Sequence, residues 1–291
     1  MKSVAVVGTG LIGASIALAL RECGFAGEIV GVDRSEAERS AALAAGAFTA
    51  VSADEAAVRG AEVIVLAVPV MAILDWMQRL APVLGEGQVV TDVGSTKRAI
   101  VELARRLYNG GGSEIGSQAR FLPGHPMAGK ESGGAALAEA GLFRGAAWLF
   151  TPLPGEASAL EMEWRRWVER FGAKVMELDA ERHDEVCAWV SHLPQMVSTA
   201  LAALLEETFA GDAEGLAMVQ AIGGRALRET TRLGASPYSM WRDVALTNTE
   251  PVAATLLALE QRLANLRENL RTPELREEFA VANRFRAGIK V

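Results

Sequence analysis

Three histidines occur in this chain, His125, His183 and His192, so an imidazole able to take and return a proton near neutral pH has three possible sources. His125 is the best placed. It lies in Pro123-Gly124-His125-Pro126-Met127-Ala128-Gly129, expected to form a rigid, glycine-bracketed loop after a strand, where an open α/β sheet presents its functional groups. Asp92-Val93-Gly94-Ser95-Thr96-Lys97 makes a second strand-end loop, which would bring the Ser95 hydroxyl and a helix N-terminus to the same edge. Each loop alone is equally a turn with a cap; together they point to one cleft. His183, in Glu181-Arg182-His183-Asp184, is expected near a helix start with a capping or structural role.

A nucleotide site is written more fully. Gly8-Thr9-Gly10-Leu11-Ile12-Gly13 follows the apolar run Val4-Ala5-Val6-Val7 and opens an alanine-rich helix. Gly8 permits a tight turn, Gly10 close approach of a pyrophosphate, and Gly13 close packing of helix on strand. The helix start, with Leu11 and Ile12, supplies amide donors. Asp33 stands twenty residues beyond Gly13, where a carboxylate can accept hydrogen bonds from adenosine ribose hydroxyls and would repel a 2'-phosphate. This favours NAD; the adjacent Arg34 could instead receive that phosphate, so NADP stays open. The fingerprint identifies a cofactor and not a reaction.

The elements that must position these groups follow from periodicity. Strands are expected at residues 3–7, 28–33, 63–68, 88–92, 120–122, 147–150 and 174–178, alternating with helices as in a doubly wound parallel sheet. Residues 109–118 read as a glycine-rich surface connection. From about Ala180 the pattern is helical only. Val186, Val190, Leu193, Val197, Leu201 and Leu204 share one apolar stripe, with His192, Gln195 and Thr199 on the opposite side. His192 is there either solvated or turned toward a cleft. Val252, Leu256, Leu259, Leu263, Leu266 and Leu270 form a seam suited to another helix, in this chain or a partner. The expected division is a dinucleotide-binding domain, residues 1–179, and a helical domain for substrate binding and dimerisation, residues 180–291.

Composition limits the partners. The formal net charge is −7, and no run of Lys and Arg provides the basic footprint that nucleic acid or an anionic membrane requires. No stretch reaches the length of a membrane span. Cys23 and Cys187 lie far apart without a CxxC companion, which suggests free thiols, a reducing cytoplasmic compartment and no metal.

GTGLIG, DVGSTK, GHPMAGKESG, the helical SHLPQ segment and residues 232–248, RLGASPYSMWRDVALTN, occur in the order found in the prephenate and arogenate dehydrogenase family, which the chain resembles over nearly its whole length. The resemblance implies NAD-dependent oxidative decarboxylation of prephenate to 4-hydroxyphenylpyruvate in tyrosine biosynthesis, by a homodimer acting on a small-molecule substrate. It implies that His125 accepts the ring-hydroxyl proton, that Ser95 holds that hydroxyl, and that Arg232 binds a substrate carboxylate, with His192, Gln195 and Trp241 at the cleft. The alternative for Arg232 is a surface arginine paired with Glu229, and Trp241, read without the resemblance, is a core residue. Several family members carry a histidine where this chain has Gln195, which keeps arogenate open as substrate. The chain is also expected to have no room for a further regulatory module, so that any tyrosine inhibition would act at the active site.

Two other readings compete. A β-hydroxyacid dehydrogenase would need a lysine in the helical part, yet Lys290 is the only lysine after Lys174. A non-catalytic NAD-sensing protein would need neither a base nor a substrate arginine.

Overall fold

The computed structural model describes residues 1–108, 117–130 and 132–289; most of the glycine-rich connection, residues 109–116, lies outside them, as do Glu131 and the last two residues. Six short strands, β1 (Ser3–Val7), β2 (Glu28–Val32), β3 (Ala50–Ser52), β4 (Val63–Leu66), β5 (Val89–Asp92) and β6 (Arg120–Leu122), form one sheet in the order β3-β2-β1-β4-β5-β6. Every pairing in it is parallel. β4 is apolar throughout, and β1 is apolar beyond Ser3, because both faces are covered. Their period of two divides the core: Val4 and Val6 pack on one side with Ile16 and Leu20, and Ala5 and Val7 on the other with Ile64, Ile73 and Trp76. The covering helices are α1 (Leu11–Glu22), α2 (Glu36–Ala44), α3 (Val70–Leu80) and α4 (Arg98–Leu107).

The sequence reading put all strands in one sheet, and here the structure corrects it. β7 (Gly124–Pro126), β8 (Ala147–Phe150) and β9 (Lys174–Glu177) form a second, three-stranded sheet. β8 and β9 pair in parallel, with α5 (Ala159–Arg170) as their crossover. The strand–helix alternation was read correctly, but alternation cannot say which sheet a βαβ unit joins. β7 was expected as a loop; it pairs antiparallel with β8, His125 opposite Leu149. Pro126 lies within β7, but β7 is an edge strand, where proline's missing donor costs little.

Beyond β9 only helices follow: α6 (Ala180–Cys187), α7 (Leu193–Phe209), α8 (Ala213–Ile222), α9 (Gly224–Thr231), α10 (Tyr238–Thr247), α11 (Thr249–Glu268) and α12 (Glu274–Gly288). α6 and α7 are joined by a π-helical turn at Ala188–His192. That turn inserts an extra residue per turn and breaks the 3.6 periodicity on which the stripe from Val186 to Leu204 was built. The stripe holds only in part: Val190, Val197 and Leu204 are exposed and Gln195 is buried, against the expectation, while Thr199 is exposed and His192 takes the inward one of its two expected placements. No helix among the described residues is long and apolar enough to cross a membrane.

Candidate active site

The glycine turn is built as its spacing requires. Gly8 has φ +87°, and a Cβ there would lie 2.2 Å from the Ala67 carbonyl oxygen. A Cβ on Gly13 would come within 1.9 Å of the Gly8 carbonyl oxygen, so helix and strand are packed at a distance only glycine allows. Around Gly10 the opposite holds: nothing lies within 4 Å of a built Cβ. Gly10 is the N-cap of α1 and provides no side-chain cap, and the first turn carries no acid. The helix therefore begins with uncapped amides facing open space, the arrangement a phosphate needs.

Asp33, at the end of β2, accepts from the Thr9 amide at 2.9 Å through Oδ2 and from the Ser35 amide at 2.9 Å through Oδ1. The carboxylate is thereby held above the turn. Asp33 and Arg34 line a cavity of about 340 Å³ with Gly8, Val68, Trp76 and Arg79, and the Arg79 guanidinium stacks 4.4 Å from the Trp76 ring centroid. Its size and mixed lining suit a nucleoside.

His125 sits where the second sheet, the β5 loop and α6 meet. Its Nδ1 lies 2.9 Å from His183 Nε2, and His183 Nδ1 lies 2.8 Å from Asp184 Oδ1. Asp184 also accepts from the backbone amides of Lys97 at 2.7 Å and Arg98 at 2.9 Å, which anchors the start of α6 to the start of α4. Below the loop, Lys97 Nζ and Asp92 Oδ2 form a fully buried ion pair at 2.5 Å. The other Asp92 oxygen accepts from the Gly124 amide at 3.1 Å. One carboxylate thus ties the loop carrying Ser95 to the strand carrying His125. Ser95 is half-buried, and its hydroxyl has no hydrogen-bond partner among the described residues.

Burial holds His125 well below the ordinary histidine value, reinforced by the neighbouring His183, Lys97 and His192. Burial also lowers His183, only partly opposed by its bond to Asp184. For Asp184 burial pushes upward, but the bonds from His183 and from the amides of Arg98 and Lys97 outweigh it and keep the carboxyl below its usual range. At neutral pH His125 is therefore a neutral imidazole, able to accept a proton.

On the helical side, His192 is buried, with Nδ1 3.1 Å from Asn248 Nδ2; the same amide donates to the Asp184 carbonyl at 2.9 Å. His192 Nδ1 is then the acceptor, which leaves its proton on Nε2. That nitrogen is buried without a partner, as is Trp241 Nε1, and the two rings meet edge to face with centroids 5.9 Å apart. Both donors are buried and unsatisfied, so each would gain from an acceptor brought to it. Burial pushes His192 down to about 4, with Asp184 opposing and His183 reinforcing the shift. Trp241 and Gln195 line a cavity of about 330 Å³ together with Tyr238 and Arg242. Gln195 donates to the Leu233 carbonyl at 2.7 Å and to Thr199 Oγ1 at 3.1 Å. This straps the turn Arg232–Ala235 to α7 and puts Arg232 next to the residue Gln195 holds. Arg232 is exposed.

Sequence reasoning missed His183, Asp184, Lys97 and Asn248 as parts of this site. The adjacency of His183 and Asp184 was visible, but the role assigned to them was structural. Their approach to His125 depends on α6 docking against α4, which no local pattern states. His125, His183 and Cys187 also bring potential metal-ligand atoms within 4.8 Å of one another, although no metal was expected from the cysteine spacing; the two imidazoles bond each other.

Comparison with known proteins gives a consistent result. Residues 16–177 match the family described as prephenate dehydrogenase, nucleotide-binding domain, and residues 179–282 match prephenate dehydrogenase, dimerization domain. A prephenate dehydrogenase of Lactococcus lactis is 32% identical across 100% of this chain and 77% of its own length. The crystal structure of prephenate dehydrogenase from Aquifex aeolicus in complex with hydroxyphenyl propionate and NAD+ superposes with a TM-score of 0.85 at 29% identity, covering 100% of this chain and 99% of that one. Arogenate dehydrogenase from Synechocystis gives a TM-score of 0.76 at 31% identity, covering 98% and 99%.

Proposed function

The chain belongs to the prephenate dehydrogenase family, and from that premise we propose that it oxidises the ring carbinol of prephenate with NAD, releasing carbon dioxide and 4-hydroxyphenylpyruvate. The single observation that carries this reading is His125: a buried, neutral imidazole at the junction of the nucleotide sheet and the helical part, on a strand that Asp92 ties to the loop carrying Ser95.

The cleft fits the cofactor. Gly8, Gly10, Leu11, Ile12 and Gly13 would cradle the pyrophosphate, and Asp33 would face the ribose, with Arg34 at the pocket rim. When bound, NAD supplies the hydride acceptor. His125 takes the proton of the ring hydroxyl, Ser95 aligns that hydroxyl, and the resulting ketone withdraws electrons from the carbon that bears the ring carboxylate. That carboxylate leaves as carbon dioxide, the ring becomes aromatic, and the proton on His125 returns to the phenolate oxygen. The protein's contribution is orientation and one proton transfer. Arg232, with the orphan donors of His192 and Trp241, anchors the substrate's acidic groups, while Gln195 fixes the turn that carries Arg232.

Arogenate is the second reading, kept open by Gln195: both substrates carry the side-chain carboxylate, but a neutral glutamine, unlike a cationic histidine, does not repel arogenate's ammonium group. The division at residues 1–179 and 180–291 goes with this mechanism, since the sheets end at Glu177 and the helices begin at Ala180. So does a homodimer, supported by the exposed apolar residues of the helical part, and a cytoplasmic location, supported by the free thiols of Cys23 and Cys187.

The test is NADH formation with prephenate and arogenate in parallel, comparing wild type with His125→Asn. Turnover of prephenate that collapses in the variant supports the proposal, and turnover of arogenate alone changes the substrate. No turnover of either, with NAD still bound, would return an NAD-sensing protein to first place.

A further inference from the structure

The contacts behind His125 do more than hold it. We infer that Asp184 and His183 form a positioning relay that fixes the tautomer of His125, placing its proton on Nδ1 and leaving Nε2 as the lone-pair nitrogen. The inference rests on His125 being the base of the proposed reaction, but its geometry is independent of which substrate is used.

The argument runs by donor and acceptor. Asp184 is surrounded by donors: Oδ1 takes the Lys97 amide at 2.7 Å and Oδ2 the Arg98 amide at 2.9 Å, both fixed by the first turn of α4. An ionised carboxylate can only accept. His183 Nδ1, 2.8 Å from Asp184 Oδ1, must therefore carry a proton; the opposite tautomer would set a lone pair against an anion. A neutral imidazole has one N–H, so His183 Nε2 is an acceptor. Its neighbour at 2.9 Å is His125 Nδ1, which then has to donate. The only ring nitrogen left to His125 is Nε2, free of its proton. The Cys187 thiol lies 3.7 Å from His183 Nε2 and 4.0 Å from His125 Nδ1, too distant to displace the 2.9 Å contact.

The remaining nitrogen is also the accessible one. His125 Nε2 has no partner among the described residues, yet it is not among the fully buried unpartnered atoms, so it is not sealed off from a ligand. Without the relay both tautomers are open to the ring, and only one presents a base there. When Nε2 takes the substrate proton, the imidazolium keeps a strong acceptor at Nδ1, and the chain ends on the Asp184 anion. His183 and Asp184 touch neither substrate nor cofactor in this scheme; they act through His125.

Asp184 also anchors α4, so the decisive variants are at His183. The test is nitrogen NMR of the intact protein labelled with 15N-histidine, whose three ring systems are assigned with His192→Gln and His183→Phe. The expected wild-type pattern is a protonated Nδ1 and an unprotonated Nε2 for His125. In His183→Phe that pattern is lost, and kcat falls about a hundredfold or more, the scale of a positioned base, while NAD affinity is retained. His183→Gln, whose carbonyl can accept the same N–H, recovers part of the loss. A wild-type His125 protonated at Nε2 overturns the relay, as does a His183→Phe enzyme with tautomer and kcat unchanged. Should neither prephenate nor arogenate be oxidised while the labelled ring still follows His183, the relay stands and the proposed reaction falls.

Discussion

At the residue scale, the site depends on a few groups whose protonation and pairing are set by burial. Replacing His125 by Asn keeps a polar group of similar reach but removes the base, and a loss of about 10²- to 10⁴-fold in kcat is expected in steady-state kinetics. Arg232→Ala should act differently. The missing charge-assisted contact, about 1.5–3 kcal/mol, predicts roughly a tenfold to hundredfold fall in kcat/KM, carried mainly by KM; an unchanged KM would remove Arg232 from the carboxylate site. His192 gives the protein an acid-sensitive core. Its pKa is about 4 in the folded chain against 6.5 for the free side chain. The unfolded state therefore binds its proton first as the pH drops, and stability falls from about pH 6.5 down to about pH 4, by roughly 3 kcal/mol in all. His125 and His183, lowered as well, add in the same direction. Thermal melts across that range should show Tm dropping with pH, and His192→Gln should flatten part of the slope.

At the element scale, the glycine turn separates packing from binding. Gly13→Ala places a Cβ 1.9 Å from the Gly8 oxygen, so the start of α1 must shift, and about 1–3 kcal/mol of stability should be lost together with NAD affinity. Gly10→Ala meets nothing within 4 Å and should leave Tm nearly unchanged while weakening NAD binding; calorimetry on the two variants checks both. The turn was legible in the sequence because each of its glycines answers a local demand. β7 and the π-helical turn at Ala188–His192 were not. An edge strand carrying Pro126 has a loop's composition, and a π turn shifts the face of everything after it by one residue, which turns Gln195 inward and leaves Val197 exposed.

At the scale of the whole molecule, the helical part cannot bury its apolar surface alone. α8, α9 and α12 have no buried residue, and Leu204, Ile222, Leu263, Leu270, Phe279 and Phe285 stay more than half exposed. Surface of this kind marks an interface, in keeping with the dimerization-domain match. Light scattering is expected to give twice the 30.9 kDa chain mass, and Leu263→Glu with Phe285→Glu should drive the mass toward one chain and lower Tm. A wild-type mass of one chain would refute the dimer. The two parts of the chain are also joined directly: the Met71 amide donates to Asp243 at 3.1 Å, and the hydroxyls of Thr96 and Thr247 lie 2.7 Å apart. The cleft is thereby fixed from both sides.

The sequence by itself determined the parallel strand–helix alternation and the glycine turn with Asp33 at the end of the next strand, and it singled out His125 as the candidate base. Each rests on spacing within one or two neighbouring elements, and such spacing is set by backbone periodicity and sterics that operate locally. The seam from Val252 to Leu270 was likewise visible, because an unpaired apolar stripe is a property of one helix. Only the tertiary structure decided that β7 to β9 form a separate sheet, that His192 and Gln195 turn inward, and that Asp184, His183 and His125 are joined through their side chains. Those outcomes depend on contacts between residues such as Lys97 and Asp184, 87 positions apart. A hydrogen bond across such a separation is decided by how helices dock, and docking is a balance of packing over the whole molecule that no single segment encodes.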